Sequence, residues 1–343
     1  MEPQNNLTSE SDGLDTPSWK NKVFPISVGA CISFLVIYVG FSLLDIIDFT
    51  QSQDSIGEVS RWCERISGSI FREPANALSN LGFIFAGLSM LWILARDPQD
   101  SRRKNQFHGL TPISMLYAGT VIYLGSGSML MHGTNTSWGG WADNLSMIMY
   151  IILPWLINIG KMGKWPKRNF FVIYATIILV YAISRWFLGS RLGINLDLFG
   201  LSIGLWIISE ALFRFWSPKF RWMSGFLGFA VAAVFGIMPT EIFSNINKFW
   251  WIILFWLPAI LSPNPPRHQR TYIPWFSTGM VCYLLAFVIW LEGYPNTAYC
   301  NPDSLIQPHA IWHLMTAFST WCFFKFLRTE KEILVSHSKN NTV

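Results

Sequence analysis

Runs of about 20 apolar residues, the length that carries an α-helix across a bilayer, recur along this chain from Pro25 to Leu327. They fall at 25–47, 75–95, 111–132, 141–160, 170–189, 197–213, 222–241, 249–262, 272–291 and 308–327, the sixth and eighth being the shortest. Composition points the same way. Hydrophobic residues make up 51% of the chain and charged residues 13%, against roughly 25% charged in an ordinary soluble domain. Such a chain cannot cover a soluble surface. The expected fold is an all-α, polytopic membrane helical bundle of about ten spans, with no internal repeat. The net charge of +5 then carries no argument for a nucleic-acid partner.

Polar segments bound the membrane domain. Residues 1–24 and 328–343 read as tails around an embedded domain over 25–327. The first tail holds Glu2, Glu10, Asp12 and Asp15 without apolar periodicity, a composition that predicts disorder. No small-residue cleavage site follows the first apolar run, so it reads as an anchor and not as a signal peptide.

Lysine and arginine predict the direction of threading, because cytoplasmic loops concentrate them. With the N-terminus inside, the inner segments carry most of the basic residues, among them Arg102, Arg103, Lys104, Lys161, Lys164, Lys167, Arg168, Arg328 and Lys331. The outer segments hold Arg61, Arg65, Arg72, Arg191 and Lys248, while Arg185 lies within a span. Both termini are therefore expected to be cytoplasmic.

That orientation gathers unusual residues at the outer ends of the spans. His309 and His313 form H-A-I-W-H at the start of the last span, a spacing that places both imidazoles on one helix face. His132 ends the third span. Three imidazoles can bind Zn²⁺ and leave its fourth position open, the catalytic arrangement. The plainer alternative is three interfacial histidines bonded to backbone. Ionisable residues inside a membrane are costly and usually functional, which favours the metal.

Ser128 lies four residues before His132, on the same helix face, and Asp143 follows His132 by eleven residues across a polar turn. Asp143 suits either a helix cap or a base for a metal-activated water. Ser128 suits either close packing in its G-S-G-S run or a role beside the metal. Cys63 and Cys300 are the two loop cysteines, both on the outer side, where oxidation is favoured. A bond between them would tie the loop before the second span to the loop before H-A-I-W-H. Two thiols that never meet is the alternative. Arg185 and Asp197, near the outer ends of consecutive spans, are expected to pair.

R-W-C-E at 61–64, R-E-P-A-N-A-L-S-N at 72–80, S-M-L-M-H at 128–132, D-N at 143–144 and Q-P-H-A-I-W-H at 307–313 together resemble the alkaline ceramidase family. That family belongs to the CREST superfamily of membrane hydrolases and receptors. The resemblance covers 61–160 and 297–327; between these stretches nothing aligns. It implies a seven-helix core, here with about three extra spans. It implies zinc held by His132, His309 and His313, with Asp143 serving the attacking water and Ser128 the developing oxyanion. It also implies a Cys63–Cys300 disulfide. Family members bind calcium through the segment around W-C-E, matched here by the Trp62 carbonyl, Glu64 and Glu73. Arg61 and Ile66 stand where the family has an acidic residue and an Asn. Two oxygen ligands are thus missing, and Ca²⁺ wants six to eight, so tight calcium binding is not expected. Arg61 or Arg65 is expected to pair with the remaining carboxylates.

The implied activity is a zinc-dependent intramembrane amidase acting on ceramide or a related N-acyl lipid, with its site near the outer face. Two alternatives stay open: an acyl-ester lipid-remodelling hydrolase with the same site, and a receptor-like member whose zinc is structural. A transporter fits poorly, because the ionisable groups cluster at one end of the spans.

Overall fold

The computed structural model describes residues 19–98 and 105–333. The apolar runs become helices, and their ends are set by local chemistry. Helix α1 covers Trp19–Leu43. A short α2, Pro74–Ser79, leads directly into α3, Leu81–Arg96. Then come α4, Pro112–Thr134; α5, Ser137–Met162; α6, Lys167–Leu188; and α7, Leu198–Phe215. The last two long helices are α8, Trp275–Leu291, and α9, Pro308–Leu327.

Caps explain several boundaries. Thr111 and Ser114 form a reciprocal capping box ahead of α4, with Pro112 in the first turn; this satisfies donors that a helix N-terminus leaves orphaned. The helix ends where Asn135 takes a left-handed conformation, φ 50°. Thr136 then caps α5 by accepting from the Gly139 N–H. The connection between α4 and α5 is therefore tight, and the two helices pack along each other. Gly127 permits that approach: a Cβ there would lie 2.7 Å from the Ala142 carbonyl oxygen. Small residues at such contacts let membrane helices close up.

Six helices in the described residues are long and apolar enough to cross a membrane, from α1 to α7 with α2 and α3 acting as one. Helix α5 is the central post, largely buried and in contact with α4, α6 and α7. Helices α1 and α6 lie at the rim and turn Ile32, Val36, Leu179 and Ile183 outward, as lipid-facing surfaces do. Helix α9 packs along α8 and also touches α2 and α3. It matches the other spans in length, but His309, His313, Thr316 and Thr320 make it less apolar.

The expected spans at 222–241 and 249–262 are not single α-helices. The first is divided into Pro218–Met223, a 3₁₀ turn at Ser224–Phe226 and Leu227–Val234; the second is a 3₁₀ stretch, Trp250–Trp256, followed by Leu257–Leu261. The cause is how they pack. The space beside Gly225 holds the Trp256 ring and that beside Gly228 holds the Phe255 ring. Backbone lying against large aromatics replaces regular helix-on-helix packing. The run at 197–213, short in sequence, is the regular α7.

The end of the bundle away from the histidines is closed by buried charges. Arg270 donates to Glu210 and Glu330 at 2.8 and 2.9 Å, Lys161 pairs with Glu330, and Asn158 bridges Arg270 and Glu210. Nearby, Arg328 makes a two-pronged bond to Asp97 at 2.6 and 2.7 Å. These contacts clamp the segment after α9 to α3, α5 and α7. Arg270 and Lys161, which count toward the basic inner segments, are thus held by carboxylates.

Candidate metal centre

Two helices bring the histidines together. His132 comes from the last turn of α4, and His309 and His313 from the first turns of α9. All three are buried, and one ring nitrogen from each lies within 4.8 Å of the others. Among the described residues no other group of three His, Cys, Asp or Glu side chains converges in this way.

Each ring is oriented by a partner. Nδ1 of His132 lies 2.7 Å from Glu73 Oε2. A carboxylate accepts the Nδ1 proton and leaves the Nε2 lone pair bare, the orienting contact usual for metal-bound imidazole. Nδ1 of His313 lies 2.8 Å from Ser79 Oγ, whose hydroxyl donates to the Asn76 carbonyl. Ser79 therefore accepts from His313, and Nε2 of His313 is again the bare nitrogen. That atom is buried without a hydrogen-bond partner. His309 stacks on Trp62 with ring centroids 4.2 Å apart, and its Nε2 faces that of His132 at 3.2 Å. Leaving His313 Nε2 buried and unpaired costs about 1–3 kcal/mol. A cation shared by the three nitrogens removes that cost, so the donor set fits a metal ion such as zinc.

Asp143 and Ser128 meet beside the triad. Both are buried, and Ser128 and His132 both lie close enough to act electrostatically on the Asp143 carboxylate. Asp143 does not cap α5. Thr136 does that, and Asp143 stands in the second turn. The G-S-G-S run serves both purposes weighed for it: Gly125 and Gly127 take close packing while Ser128 faces the site.

The W-C-E tripeptide forms the roof. Trp62 covers His309, Cys63 is bonded to Cys300, and Glu64 accepts the N–H groups of Ala75 and Asn76 at 2.7 and 2.9 Å. Glu64 thus caps α2 from a distance. Burial pushes its carboxyl above the ordinary range, partly offset by those two N–H groups. Glu73 is committed to His132 and to the Asn76 amide, 3.0 Å away. The two carboxylates matched to calcium ligands therefore serve the helix end and the histidine. Neither pairs with Arg61 or Arg65. Arg65 binds Asp303 at 2.6 Å, holding that carboxyl below its usual range, and Arg61 lies over Trp62. The expected Arg185–Asp197 pair is also absent: Asp197 caps α7 by accepting from the Gly200 N–H.

Sequence reasoning assigned Ser79 no role and gave Glu73 a different one. A signal was present. Glu73, Asn76 and Ser79 recur every third residue of R-E-P-A-N-A-L-S-N, a spacing that puts them on one face of a short helix.

A sequence model of the family described as Ceramidase matches residues 59–342 of this chain. A search of curated proteins finds no match.

Proposed function

The chain belongs to the ceramidase family, and from that premise we propose that it is a zinc-dependent intramembrane hydrolase that cleaves the amide bond of ceramide or a related N-acyl lipid. The products are a fatty acid and a sphingoid-type amine. The observation that carries this reading is the convergence of three buried imidazole nitrogens beside a buried Asp–Ser pair. A structural metal would need no such pair.

His132, His309 and His313 would hold the ion. Zinc there would polarise the scissile carbonyl and make a water molecule acidic near neutral pH. Glu73 and Ser79 hold two of the rings in the tautomer that presents Nε2. Asp143 accepts the proton of the attacking water on a carboxylate oxygen and returns it to the leaving nitrogen. Ser128 Oγ steadies that carboxylate at rest and, once Asp143 is protonated, donates to the oxygen on which negative charge develops. Burial of the whole set keeps bulk water from competing.

The described ends of the chain support the expected orientation. Tyr38, late in α1, donates to the Ile70 carbonyl near the histidines, and α9 runs away from them. Both described ends therefore lie opposite the site, at the basic end. With that end cytoplasmic, the site opens toward the outer face.

The test is to incubate purified protein in detergent with short- and long-chain ceramides and to quantify released fatty acid and amine by mass spectrometry, with metal content measured on the same samples. Hydrolysis that tracks zinc and disappears in His309→Ala is the expected result. Release from acyl esters alone would reassign the substrate. Full hydrolysis by metal-free protein would overturn the zinc role.

A further inference from the structure

Arg185 stands in the last turn of α6, at the histidine end of a membrane-spanning helix. Its Nε is buried without a hydrogen-bond partner, and among the described residues no carboxylate lies within ion-pair distance of it. An arginine in that setting normally marks a ligand or an ion path.

It borders a cavity of about 280 Å³, lined by Gln51, Ser137, Trp138, Trp141, Arg185 and Trp186. The walls are fixed. Gln51 Oε1 accepts both the N–H and the hydroxyl of Ser137, at 2.8 and 2.7 Å. That leaves the donor half of the amide for another partner. Trp141 donates its Nε1–H to the Ala182 carbonyl and meets Trp186 edge to face at 5.6 Å. The lining thus offers a guanidinium, an amide donor and indole surface, and it contains no carboxylate. It suits an anion carried on an amphipathic molecule.

The cavity lies at the same end of α5 as Asp143. Ser137, Trp138 and Trp141 occupy the first turns of α5, the helix that carries Asp143, and Arg185 is near enough to act electrostatically on Asp143. We propose that this cavity binds an anionic group, such as a phosphate, on the amine portion of the substrate, with Arg185 as its counter-ion. The substrate class is then an N-acyl lipid with an acidic head. This rests on the hydrolase reading. Bulk membrane phospholipid could supply the same phosphate chemistry, and the experiment separates the two sources.

Two N-acyl lipids with one acyl chain are compared, one with a free hydroxyl head and one with a phosphate ester there, in non-ionic detergent free of phospholipid. Wild type should favour the phosphate lipid in kcat/KM by roughly tenfold or more, mainly through KM. Arg185→Gln should collapse that ratio, and Arg185→Lys should keep part of it. Binding is read separately by tryptophan emission in Asp143→Asn protein, since three indoles line the cavity. The phosphate lipid should shift the emission, and Arg185→Gln on that background should abolish the shift. A wild-type ratio near one, or a ratio unchanged by Arg185→Gln, overturns the proposal. Competition by ordinary phospholipid at equal concentration assigns the cavity to bulk lipid and overturns it as well. Absence of hydrolysis of both lipids would count against the hydrolase reading, while the emission shift would still decide the cavity.

Discussion

The Glu73 carboxylate meets Nδ1 of His132 at 2.7 Å, with both side chains buried. Two segments far apart in sequence are thereby joined at the candidate metal centre. Such contacts fix both the tautomer and the angle of a ligand, and losing one typically costs 10–100-fold in metal affinity or activity. Glu73→Ala is expected near the upper part of that range. Glu73→Gln keeps an acceptor for the Nδ1 proton and should cost less. Zinc competition against a chromogenic chelator measures both. Wild-type affinity in Glu73→Ala would remove Glu73 from the site.

Ser79 offers His313 a neutral acceptor in place of a carboxylate. Ser79→Ala should therefore weaken zinc binding less than Glu73→Ala, by roughly threefold to tenfold for one neutral hydrogen bond. The same competition assay ranks the two variants, and the reverse order would contradict the assignment.

Asp143 and Ser128 separate chemistry from metal binding, since neither belongs to the three-nitrogen set. Asp143→Asn should retain zinc and lose about 10²–10⁴-fold in amide hydrolysis, the usual worth of a positioned proton acceptor. Ser128→Ala should retain zinc and lose about 10²–10³-fold. Fatty-acid release, normalised to zinc content, reads both. Unimpaired turnover in Asp143→Asn would refute its role as base.

The Cys63–Cys300 bond joins residues 237 positions apart. It pins the Trp62 roof to the loop that leads into α9. Replacing both cysteines with Ser should lower stability by about 2–5 kcal/mol and loosen the cover over His309. Thermal unfolding of the purified protein reads the first effect, and faster zinc loss to a chelator reads the second. Alkylation of both thiols without reductant would show the bond to be absent.

At the opposite end Glu330 carries a pH dependence. Burial alone would push its carboxyl up, but Lys161 and Arg270 beside it bring it down to about 2. An unfolded Glu titrates near 4.3. The folded value is the lower one, so the stabilisation is fully present above about 4.3 and is lost as pH falls toward 2. Thermal unfolding in detergent should show Glu330→Gln clearly less stable than wild type at pH 7, with the gap narrowing below pH 4. A gap independent of pH would mean that Glu330 contributes by shape and not by charge.

Much of this protein was legible in the chain itself. The apolar runs dictated a membrane helical bundle, because an apolar segment of that length has few other ways to satisfy its backbone. His132, His309, His313, Asp143 and Ser128 could be singled out because polar side chains at span ends are few and their spacings of four place pairs on one helix face. Other features depended on contacts between distant segments, which no local pattern encodes. Glu64 and Glu73 matched calcium ligands only in an incomplete set, and the fold has one cap α2 and the other orient His132. Asp197 and Arg185 looked like partners, yet Asp197 took the Gly200 N–H at its own helix end and left Arg185 facing a cavity. The runs at 222–241 and 249–262 looked like spans, yet aromatic rings against Gly225 and Gly228 divided them. Sequence sets where a chain is apolar and which groups share a helix face; a polar side chain's final partner is whichever donor or acceptor tertiary packing brings within about 3 Å.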